Sequence, residues 1–264
     1  MKEFTLFKTP ADFQGGVKAW RCESGSGQSS FHFQEVCEAG LIHDITLHAG
    51  THSRLEVVIL QNIPENGNVW IRIKSVVEAH AKILLTVIQD GGQSSQVELD
   101  SELLGSDARI EFRGLQNAKR TQKFSVRAEV NHSIPHTSSD LQVWCAARDE
   151  SRSVFSGSVK IAKGAHHSEA YQKNKNLMLS KRAVVDSFPK LFIENDNVKC
   201  AHGSSTSTLE PDQIVYLQAR GISAEQAEEM MVQGFLRQAI SGVGDPLCRD
   251  DLYARLGIRE EIWS

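Results

Sequence analysis

Between Arg54 and Cys200 the chain is a succession of short apolar runs separated by polar or glycine-containing turns, and no other feature narrows its possible folds so far. The runs are Leu55–Leu60, Val69–Ile73, Ile83–Ile88, Val97–Leu99, Arg109–Phe112, Lys123–Val130, Leu141–Ala146 and Val154–Ile161. They are rich in Val, Ile and Phe, side chains that pack well on a pleated surface, so they read as strands. Val69-Trp-Ile-Arg-Ile-Lys74 and Phe124-Ser-Val-Arg-Ala-Glu-Val130 alternate apolar with polar residues, the period of a half-buried strand. The runs start roughly every 12–18 residues without a shared motif, a spacing that suits the coils of a β-solenoid as well as a sandwich.

After Pro211 the pattern turns helical. Pro211 stands in a first turn, Ile214 and Leu217 share an apolar side with Tyr216, and Gly221 falls just past Arg220 where a helix would stop. Ser223-Ala-Glu-Gln226 reads as a capping box opening a longer helix to about Ile240, with Ala227, Met230, Met231, Gly234, Phe235 and Ile240 as its apolar stripe. Asp250–Leu256 suggests a further short helix before an acidic-aromatic terminus, Glu260–Ser264. Upstream, Gly15, Gly16, Gly25 and Gly27 suggest loop, with strands over Phe31–Val36 and Ile42–Leu47. The chain thus divides into an N-terminal segment of unassigned role (1–50), a β core (51–208) and a helical segment (209–264).

Apolar residues are 40% of the chain and charged residues 23%, and no run reaches the ~20 apolar residues of a membrane span, so a soluble protein is expected, with no membrane partner. The first ten residues lack a signal-peptide core. Five cysteines, an odd number without paired spacing, suit reduced thiols in a cytoplasmic setting. A net charge of −4 without a dense basic run gives no footprint for nucleic acid.

Asp196-Asn-Val-Lys-Cys-Ala-His-Gly203 carries the chemistry. On a strand, Val198, Cys200 and His202 point one way and Asn197, Lys199 and Ala201 the other, so a thiol and an imidazole share a face. Both residue types ligate iron, although taken alone Cys200 reads first as a packed small hydrophobe and His202 as a hydrogen-bonded turn residue. Lys199 is expected to face away from the thiol. His166 and His167, with Glu169 beyond them, are adjacent and would point to opposite faces, which disfavours a shared metal ion. Glu194 and Asp196 are two apart, as paired carboxylates of a carbohydrate-active β-helix enzyme would be, although solvated turn residues are the commoner reading of such a pair.

The segment from Gln172 to Phe235 resembles the SufB/SufD family, the scaffold proteins of the SUF iron–sulfur cluster assembly system. The matching blocks are Gln172-Lys-Asn-Lys-Asn-Leu-Met-Leu-Ser180; Ala183 with Ser187, Pro189, Leu191 and Ile193; Asp196–Gly203; Asp212-Gln213, Tyr216-Leu217 and Arg220-Gly-Ile222; and Ala227 with Gly234-Phe235. His202 followed by Gly203 is similar to the SufD version, whereas SufB members usually carry Glu after the His. Ala201 departs from a common Ser, and most of the family's N-terminal helical region has no counterpart.

The resemblance implies a mainly β fold, a right-handed parallel β-helix followed by a C-terminal α-helical segment. It implies a non-catalytic SufD-like scaffold subunit, His202 and then Cys200 contributing to a transient iron–sulfur cluster shared with a SufB-like scaffold or a second copy of the chain. It also implies that the helical segment docks a SufC-like ATPase, through Tyr216, Arg220, Met230, Met231 and Phe235. The residues themselves suggest that Met230, Met231 and Phe235 cover the end of the β-helix, hiding its open strand edges. The sequence contains no Gly-x-x-x-x-Gly-Lys-Ser/Thr loop, which leaves ATP hydrolysis to the partner. The alternative from a different class is the β-helix carbohydrate-active enzyme using groove carboxylates.

Overall fold

The computed structural model describes residues 16–209 and 211–259. Seven strands form one sheet, in the order β1 (Val17–Ser24), β3 (Leu41–Ala49), β5 (Asn68–Val77), β7 (Ser94–Leu103), β9 (Lys123–His132), β11 (Arg152–Ile161) and β13 (Val184–Ile193). The other seven form a second sheet, β2 (Ser29–Val36), β4 (Arg54–Gln61), β6 (Lys82–Gln89), β8 (Arg109–Ala118), β10 (Ser138–Ala147), β12 (Glu169–Met178) and β14 (Lys199–Thr208). Pairing is parallel within both, for instance Arg152↔Lys123 in the first and Glu169↔Ser138 in the second. Each strand pairs with the next but one, so the chain winds as a parallel β-solenoid of about seven coils.

Register-matched residues of neighbouring coils lie from 25 positions apart, Val17 and Ile42, to 32 apart, Arg152 and Val184. The 12–18-residue spacing in the sequence is half a coil, and the solenoid includes strands upstream of residue 51. The expected strands at Phe31–Val36 and Ile42–Leu47 are β2 and β3.

The lumen is filled by one continuous apolar core built from matched columns such as Leu55, Ile83 and Ile110, with Phe112 and Phe155 also inside it. The sheets differ on their outer faces. Odd strands alternate, β5 burying Ile71, Ile73 and Ser75 while exposing Lys74, and they show water a polar face. In the even sheet β4 and β6 are largely apolar on both sides: in β4 every residue after Arg54 is buried. A sheet buried on both faces needs a cover.

The cover is helical. Helices α2 (Ala224–Ile240) and α3 (Pro246–Arg255) lay Val232, Leu236, Ala239, Ile240, Leu252 and Tyr253 on the outer face of the even sheet, against Val58, Leu60, Ile88, Leu115, Trp144 and Leu177. This corrects the expectation that the helical segment closes the end of the solenoid. The apolar strip that needed covering runs along the flank. Helix α1 (Pro211–Gln218) precedes α2, with Gly221 at φ +86° beyond its end. Ser223 caps α2 reciprocally with Gln226, the hydroxyl accepting from the Gln226 N–H at 3.2 Å and the Gln226 carbonyl from the Ser223 N–H at 3.1 Å. Helix α3 starts at Pro246, four residues before the expected Asp250, because Asp245 caps it and Pro246 suits its first turn. The acidic-aromatic terminus 260–264 lies outside the described residues. No helix among the described residues is long and apolar enough to cross a membrane.

At five corners leading from odd to even strands a residue other than glycine adopts positive φ: His52, His80, Asp107, His136 and His167. Histidine and aspartate tolerate this region better than branched residues. Their side chains form a column along the corner: His52 stacks on His80 at 4.6 Å, His80 Nδ1 is 3.2 Å from Asp107 Oδ2, and His136 stacks on His167 at 4.9 Å.

Candidate functional site

Strand β14 pairs with β12 on one side only, and β13 with β11, so the last coil leaves both sheets with an open edge. Among the described residues nothing covers the end of the lumen there, and Val184, Phe192 and Ile193 on β13 are exposed.

Cys200 and His202 sit in this mouth. Register places Cys200 over the lumen residue Ala170 and His202 over Gln172, itself 1% exposed, so both occupy the lumen column of β14, as strand alternation predicts. Cys200 and Val198 are half-buried against the lumen core, whereas His202 is exposed. Burial pushes the Cys200 thiol above its usual value, with a hydrogen bond to the Ala170 backbone opposing. Lys199 takes the opposite face, its Nζ 2.9 Å from Glu169 Oε1 on the outer surface. A thiol pushed up by burial stays protonated, and since the thiolate is the form that binds a metal, ligation through it would release a proton.

Below the mouth the lumen turns polar. Gln172, Asn174 and Asn176 point inward from β12, Asn174 donating to the Val143 carbonyl at 3.1 Å and Asn176 to Asn174 Oδ1 at 2.9 Å and Thr206 Oγ1 at 3.2 Å. A sequence signal for this floor exists: in Gln172-Lys-Asn-Lys-Asn176 the lysines must face water, which sends the three amides inside.

The other metal candidates disperse. His166 Nδ1 lies 3.1 Å from Asn195 Nδ2 and His167 Nε2 lies 3.3 Å from Asn197 Nδ2, both in the corner after β11, while Glu169 pairs with Lys199. Among the described residues no three His, Cys, Asp or Glu side chains are grouped to hold an ion. Glu194 lines a surface hollow of about 580 Å³ with Glu102, Lys160 and Phe192, which Asp196 does not reach.

The helical candidates separate into two sets. Tyr216, Met230 and Met231 line an apolar groove of about 400 Å³ between α1 and α2, with Asp212, Gln213 and Leu217. The Arg220 guanidinium stacks over the Tyr216 ring at 4.4 Å. Phe235 turns the other way and packs on the covered flank.

Comparison with known proteins decides the family. The family model of the SUF system FeS cluster assembly SufBD core domain matches residues 27–235, well over half the chain. The chain belongs to the SufB/SufD family. Relatives include the iron–sulfur cluster assembly protein SufD of Escherichia coli, 27% identical over 64% of this chain and 40% of its own length. The chloroplastic protein ABCI7 of Arabidopsis thaliana is 28% identical, over 76% of this chain and 44% of its own length. A SufBD family protein of Mycobacterium leprae is 31% identical over 63% and 44%. This SufBD chain therefore spans less than half the length of these relatives. The matched region runs from the first coils through α1 to Phe235 in α2, so the SufBD core takes in the solenoid and the groove helices together.

Proposed function

We propose that this SufBD protein is a SufD-like scaffold subunit on which an iron–sulfur cluster is built as cargo, at the open mouth of the solenoid. The observation that carries the reading is the pair Cys200 and His202, a thiol and an imidazole on one lumen column at the uncovered end. Thiolate and imidazole both ligate cluster iron, and a cluster takes about four protein ligands, so the others come from a partner chain. The unpaired edges of β13 and β14, beside exposed Val184, Phe192 and Ile193, favour a SufB-like scaffold or a second copy as that partner.

The groove between α1 and α2 suits a SufC-type ATPase, because methionine side chains adapt to an inserted apolar surface. The scaffold itself catalyses nothing in this reading, and ATP hydrolysis is the partner's. Five thiols that remain free fit a reducing, cytoplasmic compartment.

The test is anaerobic reconstitution with iron and sulfide beside SufB-like and SufC-like partners, comparing wild type, His202→Ala and Cys200→Ser by visible absorbance and bound iron. Loss of cluster in His202→Ala, with the complex intact by size exclusion, supports the mouth as the site. Full loading of both variants sinks it.

A further inference from the structure

One coil below His202 and in register with it stands Gln172 on β12. Neighbouring strands lie ~4.8 Å apart, so the two residues are neighbours along the lumen axis. The Gln172 Nε2 donates to the backbone carbonyl of Lys190 on β13 at 3.0 Å. That carbonyl can only accept, so the bonded end of the amide is its NH2 and the free end is its oxygen. Oε1 is buried and has no hydrogen-bond partner among the described residues. A buried acceptor left so costs about 1–3 kcal/mol. The surroundings nevertheless make room for it: Gly157 on β11 faces the amide, and a Cβ there would collide with Oε1 and the Phe155 ring. The ring of His202, for its part, makes no hydrogen bond among the described residues.

A histidine that binds a metal through one nitrogen generally donates its other ring N–H to an oxygen, which fixes tautomer and aim. We propose that Gln172 is the positioning residue for His202, its Oε1 accepting the imidazole N–H when the other ring nitrogen takes iron. The Lys190 hydrogen bond and the space at Gly157 leave that oxygen uncommitted before the metal arrives. This inference rests on the reading of the mouth as the cluster site, and deepens it by naming a residue that acts through His202.

The experiment is an anaerobic titration of Co(II), as a spectroscopic probe, into the complex assembled with SufB-like and SufC-like partners, following the visible ligand-field bands. His202→Ala defines the part of the binding that needs the imidazole. Gln172→Met, which keeps the length and removes the acceptor, is expected to weaken that part by about 10–100-fold and shift its bands, whereas Gln172→Glu, which keeps an acceptor while losing the NH2 that donates to Lys190, is expected to lose less than Gln172→Met. Wild-type binding in Gln172→Met beside lost binding in His202→Ala overturns the positioning role and leaves the mouth site standing. Equal losses in Gln172→Met and Gln172→Glu overturn it as well, since they mark a packing role. Wild-type binding in His202→Ala overturns the site reading itself. If Gln172→Met does not fold, Gly157→Ala displaces the amide without altering it and is expected to weaken binding likewise; unchanged binding there counts against the proposal.

Discussion

The carboxylate of Glu56, on the outer face of β4, accepts a hydrogen bond from the backbone N–H of Gly244 at 2.6 Å, tying the second coil to the loop between α2 and α3. Glu56 is 8% exposed, and a Cβ at 244 would stand 2.7 Å from its Oε2. Gly244 itself is exposed, so water can take over its N–H, and Glu56→Ala is expected to cost about 1 kcal/mol, the net worth of the bond. Hydrogen exchange should show the loss in α2 and α3 while lumen strands keep their protection; unchanged exchange in both helices would mean that the loop is held elsewhere.

Stability should also fall with acid. His132, 1% exposed at the end of β9, places Nδ1 2.8 Å from Thr137 Oγ1 and Nε2 2.8 Å from Ser139 Oγ. Burial pulls its pKa from the usual 6.5 down to about 4. Between those values the unfolded chain holds the proton and the folded chain refuses it. The contribution is therefore complete above pH 6.5 and is lost as pH falls toward 4, on the order of 3 kcal/mol in all. Denaturant unfolding at a series of pH values checks this, since in His132→Asn the slope over that window should flatten.

Much of the fold was legible. The runs from Leu55 to Ile161 marked strands, and the capping box at Ser223 and the stop at Gly221 marked helix ends, because both signals are local. Solenoid against sandwich was not legible from periodicity, since strand spacing does not say which strand pairs with which. The helical cover was misplaced although its signal was present: Leu55–Leu60 and Ile83–Ile88 are nearly unbroken apolar runs while Val69–Lys74 and Phe124–Val130 alternate, which is the difference between a sheet covered on both faces and one facing water. At the site, alternation correctly put Cys200 and His202 on one face. Gln172 reads in the sequence only as the start of a matching block, because the residue that stands over it in register, His202, is one coil away.

Trp144 is the centre of the covered flank. It is 3% exposed within the cluster of α2 and α3, with Arg113 and Lys175 over its ring at 5.7 and 6.0 Å. Trp144→Ala should destabilise the protein by about 3–5 kcal/mol. Thermal unfolding followed by circular dichroism measures it, and a loss under about 1 kcal/mol would show that the helices dock without this anchor.

Thiol labelling reports on the mouth. At about pH 8, iodoacetamide should modify exposed Cys37 first and half-buried Cys200 more slowly. Cys145, fully buried and pushed up to about 12, should react only on unfolding. Adding the SufB-like partner should slow Cys200 while leaving Cys37 as it was. Mass spectrometry of the labelled chain decides, and an unchanged Cys200 rate in the complex would place the contact away from the mouth.

Strand register in the solenoid is continuous from coil to coil, and the corners absorb every difference in coil length, four residues between β3 and β4 against seven between β11 and β12. Insertions and deletions in such a chain therefore sort by place. Extra residues at a corner leave the lumen neighbours intact, whereas one residue gained inside a strand turns every later side chain of that strand to the wrong face. The smallest internal piece that could be removed cleanly is one complete coil. Its loss would shorten the axis by about 4.8 Å and bring the mouth nearer to helices whose footing spans β4 to β12. The number of coils thus acts as a ruler between the two ends of the molecule's surface.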